Sequence, residues 1–256
     1  MRRKFIRFLL LFLFLPLAGF AQKVPPKLTF GVEFRTLQNF GVLNLDSVVI
    51  QEPSGEFTST YRFAGGLGFG GIVRIKLTDF WNIETGIHYV RQRYDLDFTD
   101  LRTGVEDGTS LNVVSYELPL KGLVYIQLGE RLFSNVALGV SADFIASNVE
   151  AFGLGNTYSF GAIRRTVARG AVLGSLGFEF RTDEDGYFYL GGSFHQPFGD
   201  TMLTQVSYER DGIPPAVGAN GTIDGAYFSI DFRYFFPNKE ESKNKVKYNY
   251  PDWQNM

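Results

Sequence analysis

Residues 226–236 alternate without a break. Even positions are Ala226, Phe228, Ile230, Phe232, Tyr234 and Phe236; odd positions are Tyr227, Ser229, Asp231, Arg233 and Phe235. A period of two sends successive side chains to opposite faces of a β-strand. One face of this strand is wholly apolar and the other carries charge. A helix repeats every 3.6 residues and would scatter these apolar residues all around its surface. The segment therefore demands a sheet with two chemically different sides.

Seven further segments read the same way: 28–36, 63–77, 80–97, 113–128, 131–148, 168–181 and 187–198. In 63–77, Phe63, Leu67, Phe69, Val73, Ile75 and Leu77 share a face opposite Gly66, Gly68, Gly70, Arg74 and Lys76. In 113–128, Tyr116, Leu118, Leu120, Val124 and Ile126 oppose Ser115, Glu117, Lys121 and Gln127. After residue 21 no run approaches the 18 or so consecutive apolar residues of a membrane-spanning helix. The connections alternate in length. Residues 78–79, 129–130 and 182–186 make short turns, and 38–62, 98–112, 149–167 and 199–224 make long links.

Short and long connections in strict alternation describe an up-and-down transmembrane β-barrel, with short periplasmic turns and long outer loops. A soluble barrel would also alternate, but its apolar face would fill a narrow interior. Here the bulky face has no size limit, which suits lipid, and the charged face is rich in Gly, Ser and Ala, which suits a crowded lumen. Aromatic residues gather near the strand ends, with Trp81, Phe180, Phe188, Tyr234 and Phe236 by the short turns. Phe34, Phe63, Tyr89, Tyr116 and Phe198 sit toward the long links. Two such belts match two membrane interfaces. The fold class is thus all-β, an antiparallel up-and-down transmembrane barrel of about eight strands, with ten possible because 202–209 could form another.

The N-terminus reads as a targeting segment. Arg2, Arg3, Lys4 and Arg7 precede an apolar stretch over 8–20 that ends in Ala18-Gly19-Phe20-Ala21. That layout predicts a signal peptide over 1–21, cleaved after Ala21. Its removal takes the 25 basic residues to 21 against 27 acidic ones. Such a balance gives no footprint for nucleic acid. The absence of cysteine excludes disulfides, thiol redox chemistry and thiolate metal sites. The barrel should occupy 22–237, and 238–256 should be a disordered periplasmic tail. The chain is expected to reside in the bacterial outer membrane.

Ser115-Tyr116-Glu117-Leu118-Pro119-Leu120-Lys121 resembles the Y-[LI]-E-[IL]-P-L-L run of the PorT-like outer-membrane β-barrel proteins of gram-negative bacteria. The region around Phe20-Ala21-Gln22 and the Gly-rich strand at 65–71 are similar to theirs. The resemblance implies an outer-membrane barrel. Protein secretion belongs to some members only.

By parity, Glu33, Arg35, Arg74, Lys76, Glu84, Glu117, Lys121, Asp143, Glu179, Arg181, Asp231 and Arg233 face the lumen. Charges in so narrow a space must pair, giving either a structural plug or a narrow ion path. His88 and His195 are the two histidines and both should face inward. Ser193 shares a face with His195, but two residues on one strand stand roughly 7 Å apart, beyond hydrogen-bond reach. Two histidines with no acids at ligand spacing offer no metal site in the sequence. The spacing within 65–71 superficially suits a dinucleotide loop, but no helix follows, so these glycines serve close packing. In the tail, Tyr248, Tyr250 and Trp253 are candidate partner anchors.

The expectation is a barrel that is no enzyme, needs no cofactor, and has a structural or partner-binding role, with a secretion accessory as one form of it. A small porin and an outer-membrane lipid- or peptide-processing enzyme are the alternatives. Expected partners are outer-membrane lipid and a periplasmic or envelope protein.

Overall fold

The computed structural model describes residues 27–38, 47–51, 56–78, 80–153, 158–182, 185–210 and 213–237. Among the described residues are thirteen strands and no helix. They are β1 (Lys27–Gln38), β2 (Ser47–Gln51), β3 (Phe57–Lys76), β4 (Trp81–Asp100), β5 (Val105–Gln127), β6 (Leu132–Ile145) and β7 (Val149–Gly153). The remainder are β8 (Tyr158–Arg164), β9 (Ala168–Arg181), β10 (Tyr187–Pro197), β11 (Met202–Arg210), β12 (Ile213–Ile223) and β13 (Tyr227–Phe235).

Eight strands close into a ring in the order β1-β13-β10-β9-β6-β5-β4-β3, and β3 pairs back to β1. Every pair is antiparallel. Closure leaves no unpaired edge within the ring, which is what a strand needs where no water can bond its backbone. The short turns fall where expected. Leu77 and Thr78 both donate their amides to the Trp81 carbonyl, at 3.1 and 3.0 Å, and Leu128 donates to Leu132 at 2.9 Å. The start of β1 and the end of β13 lie at this same end of the barrel.

The long links are not plain loops. They carry β2 and the extended upper halves of β3, β4 and β5. A second sheet of order β12-β11-β8-β7 comes from the last two of them. β7 packs against β5 and β12 against β2. The ten-strand alternative therefore fails, because β11 pairs with β8 and β12 outside the ring.

β4 shows how one unbroken strand serves two environments. From Trp81 to Tyr89 its outward residues are Trp81, Ile83, Thr85, Ile87 and Tyr89, and its inward ones include Asn82, Glu84 and His88. Nine residues of tilted strand suffice to cross the hydrocarbon. Beyond Tyr89 the period continues but its chemistry inverts. Val90, Tyr94, Leu96 and Phe98 point inward and are buried, while Arg91, Arg93 and Asp95 point outward to solvent. Below the switch the barrel is polar inside and apolar outside; above it the arrangement is that of a soluble protein. The buried upper core joins Leu37, Phe57, Tyr61, Leu96, Phe98 and Leu111 to Tyr158, Phe160, Met202 and Val206 of the second sheet.

Aromatic contacts mark both boundaries of the apolar belt. Phe69, Tyr89 and Tyr116 meet at the upper one, with ring centroids 5.0 and 5.8 Å apart. Phe188, Tyr234 and Phe236 meet at the lower one, at 5.1 and 5.4 Å. Phe63 departs from the expected upper belt. The ladder between β3 and β4 shifts register between Phe63 and Gly65, and Phe63 lies in the upper core. One extra residue in a strand moves every side chain before it to the opposite face. Gly65 accommodates the bulge with φ of +104°, a conformation that favours glycine.

Candidate functional site

Closure stacks inward residues from strands far apart in sequence at the same level of the lumen. Arg233 on β13 is fully buried and reaches three carboxylates: Nε donates to Glu33 Oε1 at 2.6 Å, Nη1 to Glu84 Oε1 at 3.2 Å and Nη2 to Asp231 Oδ2 at 3.0 Å. Its guanidinium lies over the Tyr189 ring, 4.4 Å from the centroid. Arg35 donates to Glu33 at 2.5 Å and to Glu117 at 3.0 Å. Arg74 clasps Glu84 through Nε and Nη2, at 3.2 and 2.9 Å, and reaches Glu179 at 2.6 Å. Lys121 Nζ sits 2.7 Å from Glu84. A buried ion costs several kcal/mol unless it is paired and hydrogen-bonded, and these contacts satisfy that demand.

The structure thus brings together Glu33, Arg35, Arg74, Glu84, Glu117, Lys121, Asp143, Glu179, Asp231 and Arg233, all buried. Arg181 pairs with Glu179 at 2.7 Å from the rim, where it stays part-exposed. Lys76, expected with them, lies exposed near the short-turn end. Tyr248, Tyr250 and Trp253 fall outside the described residues, as do 1–21 and 238–256.

Aromatic partners were missing from the charge list. Tyr227 donates to Glu117 Oε1 at 2.6 Å, and Tyr125 donates to Glu179 at 3.2 Å. The Phe235 ring lies beneath the Arg74 guanidinium at 3.7 Å. Their position on the charged face of otherwise alternating strands was the signal that could have found them. The Gly-rich run serves this packing: a Cβ at Gly68 would come within 2.6 Å of Arg35 Cγ, and one at Gly70 within 2.2 Å of His88 Cδ2.

Both histidines face the lumen and are buried. His88 Nδ1 lies 3.0 Å from Arg35 Nη2, and arginine only donates, so this nitrogen accepts. Ser193 donates to the Asp231 carboxylate, as does Ser229, and does not meet His195. His195 instead stacks on Tyr227, centroids 4.7 Å apart, with Nε2 3.0 Å from Asp143 Oδ2 and 3.7 Å from Glu117 Oε1. A cavity of about 10 Å³ adjoins it, lined by Arg35, Glu117, Lys121, Ser193 and Tyr227 among others. That is close to the room one water needs.

A closed antiparallel ring with an apolar belt, aromatic girdles and a charged interior defines an integral outer-membrane β-barrel protein. The family model for the outer membrane protein beta-barrel domain matches residues 20–203, and the chain belongs to that family. Among solved structures it is similar to the outer membrane protein OprG from Pseudomonas aeruginosa, with 14% identity and a TM-score of 0.50. That likeness covers 82% of this chain and 96% of OprG. The outer membrane protease OmpT from Escherichia coli matches at 8% identity and a TM-score of 0.37, over 82% of this chain and 96% of OmpT. An outer membrane channel from Pseudomonas putida F1 matches at 11% identity and a TM-score of 0.18, over 85% and 98%. No curated protein matches the chain.

These findings correct one expectation. The sequence pointed to a barrel that is no enzyme, yet a protease stands among the barrels it matches, so this architecture carries no presumption against catalysis. A likeness at that TM-score assigns no activity to the chain either.

Proposed function

We propose that this protein is a non-conducting outer-membrane anchor that presents its outer extension and its periplasmic tail to an envelope partner. The observation that carries the reading is the doubly filled interior: a paired charge network occupies the membrane level, and an apolar core occupies the level above it. A hydrated ion would have to displace both. The outward face of the extension is polar and charged, as in the Arg62–Asp97 and Arg93–Asp95 pairs, and so is suited to recognition in water. The resemblance of Ser115–Lys121 to the PorT-like proteins supports a secretion accessory as the particular form of this role. Tyr248, Tyr250 and Trp253 are the tail residues proposed to engage a periplasmic protein, and the leader over 1–21 is proposed to direct export.

Planar-bilayer recording tests the anchor against a pore, and the expected result is no stable current at the level of a general porin. Such a current would overturn the reading. Cross-linking in intact outer membranes, with a tag in an outer loop, should recover a protein partner. Truncation after Asn238 should lower that recovery without changing barrel assembly. Identical recovery from both chains would remove the tail from the proposal.

A further inference from the structure

The β5–β6 hairpin, which sets Glu117 opposite Asp143, and the more distant β10 with His195 bring the three together, each buried, with one ligand atom apiece all within 4.8 Å of one another. Two observations bear on this trio. Among the described residues, Asp143 is the one lumen carboxylate with no arginine or lysine in an ion pair. Its contacts are Ser141, donating to Oδ1 at 2.6 Å, and His195. Moreover, Asp143 Oδ2 and both ring nitrogens of His195 are buried without a hydrogen-bond partner. Nε2 stands 3.0 Å from Oδ2. Buried polar atoms left in this way call for an explanation, an ion being one.

We infer that Glu117, Asp143 and His195 form a binding site for a divalent transition-metal cation of mixed nitrogen and oxygen preference, with zinc as the type. The spacing suits it. Ligand atoms about 2.1 Å from a tetrahedral zinc lie roughly 3.4 Å from one another. The distances from His195 Nε2, 3.0 Å to Asp143 Oδ2 and 3.7 Å to Glu117 Oε1, bracket that edge. The surrounding groups are those that orient metal ligands. Tyr227 holds Glu117 Oε1 and stacks on the imidazole, Arg35 holds Glu117 Oε2, and Ser141 holds the other oxygen of Asp143. Lys121 pairs with Glu84, Arg35 also serves Glu33, and Arg169, which faces Asp143 across β6 and β9, turns its guanidinium to the Asp224 carbonyl at 3.2 Å. Glu117 and His195 also line the water-sized cavity, so a water there would complete a set of three protein ligands. The cation would add positive charge beside Asp143 and tie β5 and β6 to β10.

The test uses the full-length chain refolded in detergent, with zinc chloride alone as the ligand and competition against a chromophoric chelator as the readout. One equivalent of zinc per folded barrel is expected. His195→Gln and Asp143→Asn should each weaken binding at least about 100-fold. Tyr227→Phe should weaken it about 10-fold, the scale of losing a group that orients a ligand. Asp95→Asn, in an exposed pair on the outward face above the belt, should leave affinity unchanged. Folding of each variant is checked by its heat-dependent gel mobility. Cobalt(II) added to the unaltered barrel keeps the test decisive where a variant fails to fold. Intense visible absorption of a four-coordinate site is expected, and the weak spectrum of a six-coordinate all-oxygen site would overturn the assignment. A folded barrel that takes up no zinc, or a folded His195→Gln barrel that binds it as tightly, would equally overturn it.

Discussion

Glu33 and Arg233 face each other in the register of the first and last strands, and their 2.6 Å ion pair braces from inside the seam that closes the barrel. The same guanidinium also holds Glu84 and Asp231, so one side chain neutralises carboxylates from β1, β4 and β13. Arg233→Met should therefore strip Asp231 of its cation, leave Glu33 and Glu84 one partner short, and cost about 3–5 kcal/mol, the scale of breaking a buried pair from one side. The Arg233→Met/Glu33→Gln double variant should recover part of that loss. Urea unfolding in lipid vesicles, followed by gel mobility, measures both. Equal stability of Arg233→Met and the unaltered protein would contradict a buried network.

The inversion of chemistry along the strands predicts opposite responses to charge at two heights. Leu138 on β6 points outward into the lipid belt. Leu138→Arg should cost about 2–4 kcal/mol, the scale of a charge set into the lipid belt. Asp95, on the outward face above the switch, makes an exposed pair with Arg93. Asp95→Asn should change stability by about 1 kcal/mol at most. Similar losses at both sites would mean that the apolar belt extends further up than the strand chemistry indicates.

The upper core should behave as an ordinary protein interior. Phe160 on β8 is fully buried there, 5.4 Å from the Phe98 ring and 6.4 Å from Tyr61. Phe160→Ala should cost about 3–5 kcal/mol of local stability. The loss should appear as faster proteolysis between β7 and β12, while the membrane ring keeps its heat-dependent mobility. Collapse of both together would show one cooperative unit in place of two.

The bulge at Gly65 sets which side chains of β3 enter that core. A Cβ at Gly65 would lie 3.0 Å from the Leu37 carbonyl oxygen, on a backbone with φ of +104°. Gly65→Val should strain this turn of the strand by about 1–3 kcal/mol. Hydrogen exchange should show weaker protection in 57–63 than in 68–76. Unchanged protection in 57–63 would argue that the register survives without glycine.

The two-residue alternation determined the strands of the ring, their lipid and lumen faces, and the inward position of nearly every charge later found in the network. Alternation is a local property of extended backbone, so it can be read strand by strand from the order of residues. Lys76 and Phe63 were misplaced because a strand end and a one-residue bulge break that local rule. Of the second sheet only 202–209 was read as a possible strand, and as part of the ring, since the other strands lie in stretches where weak alternation sits among Gly and polar residues. Which charges meet was decided by the tertiary structure alone. Arg233 finds Glu33 across 200 positions because ring closure makes the last strand the neighbour of the first. Glu117, Asp143 and His195 converge because strand register and barrel closure set their inward side chains at one height, a consequence of how eight strands pair that no single strand encodes.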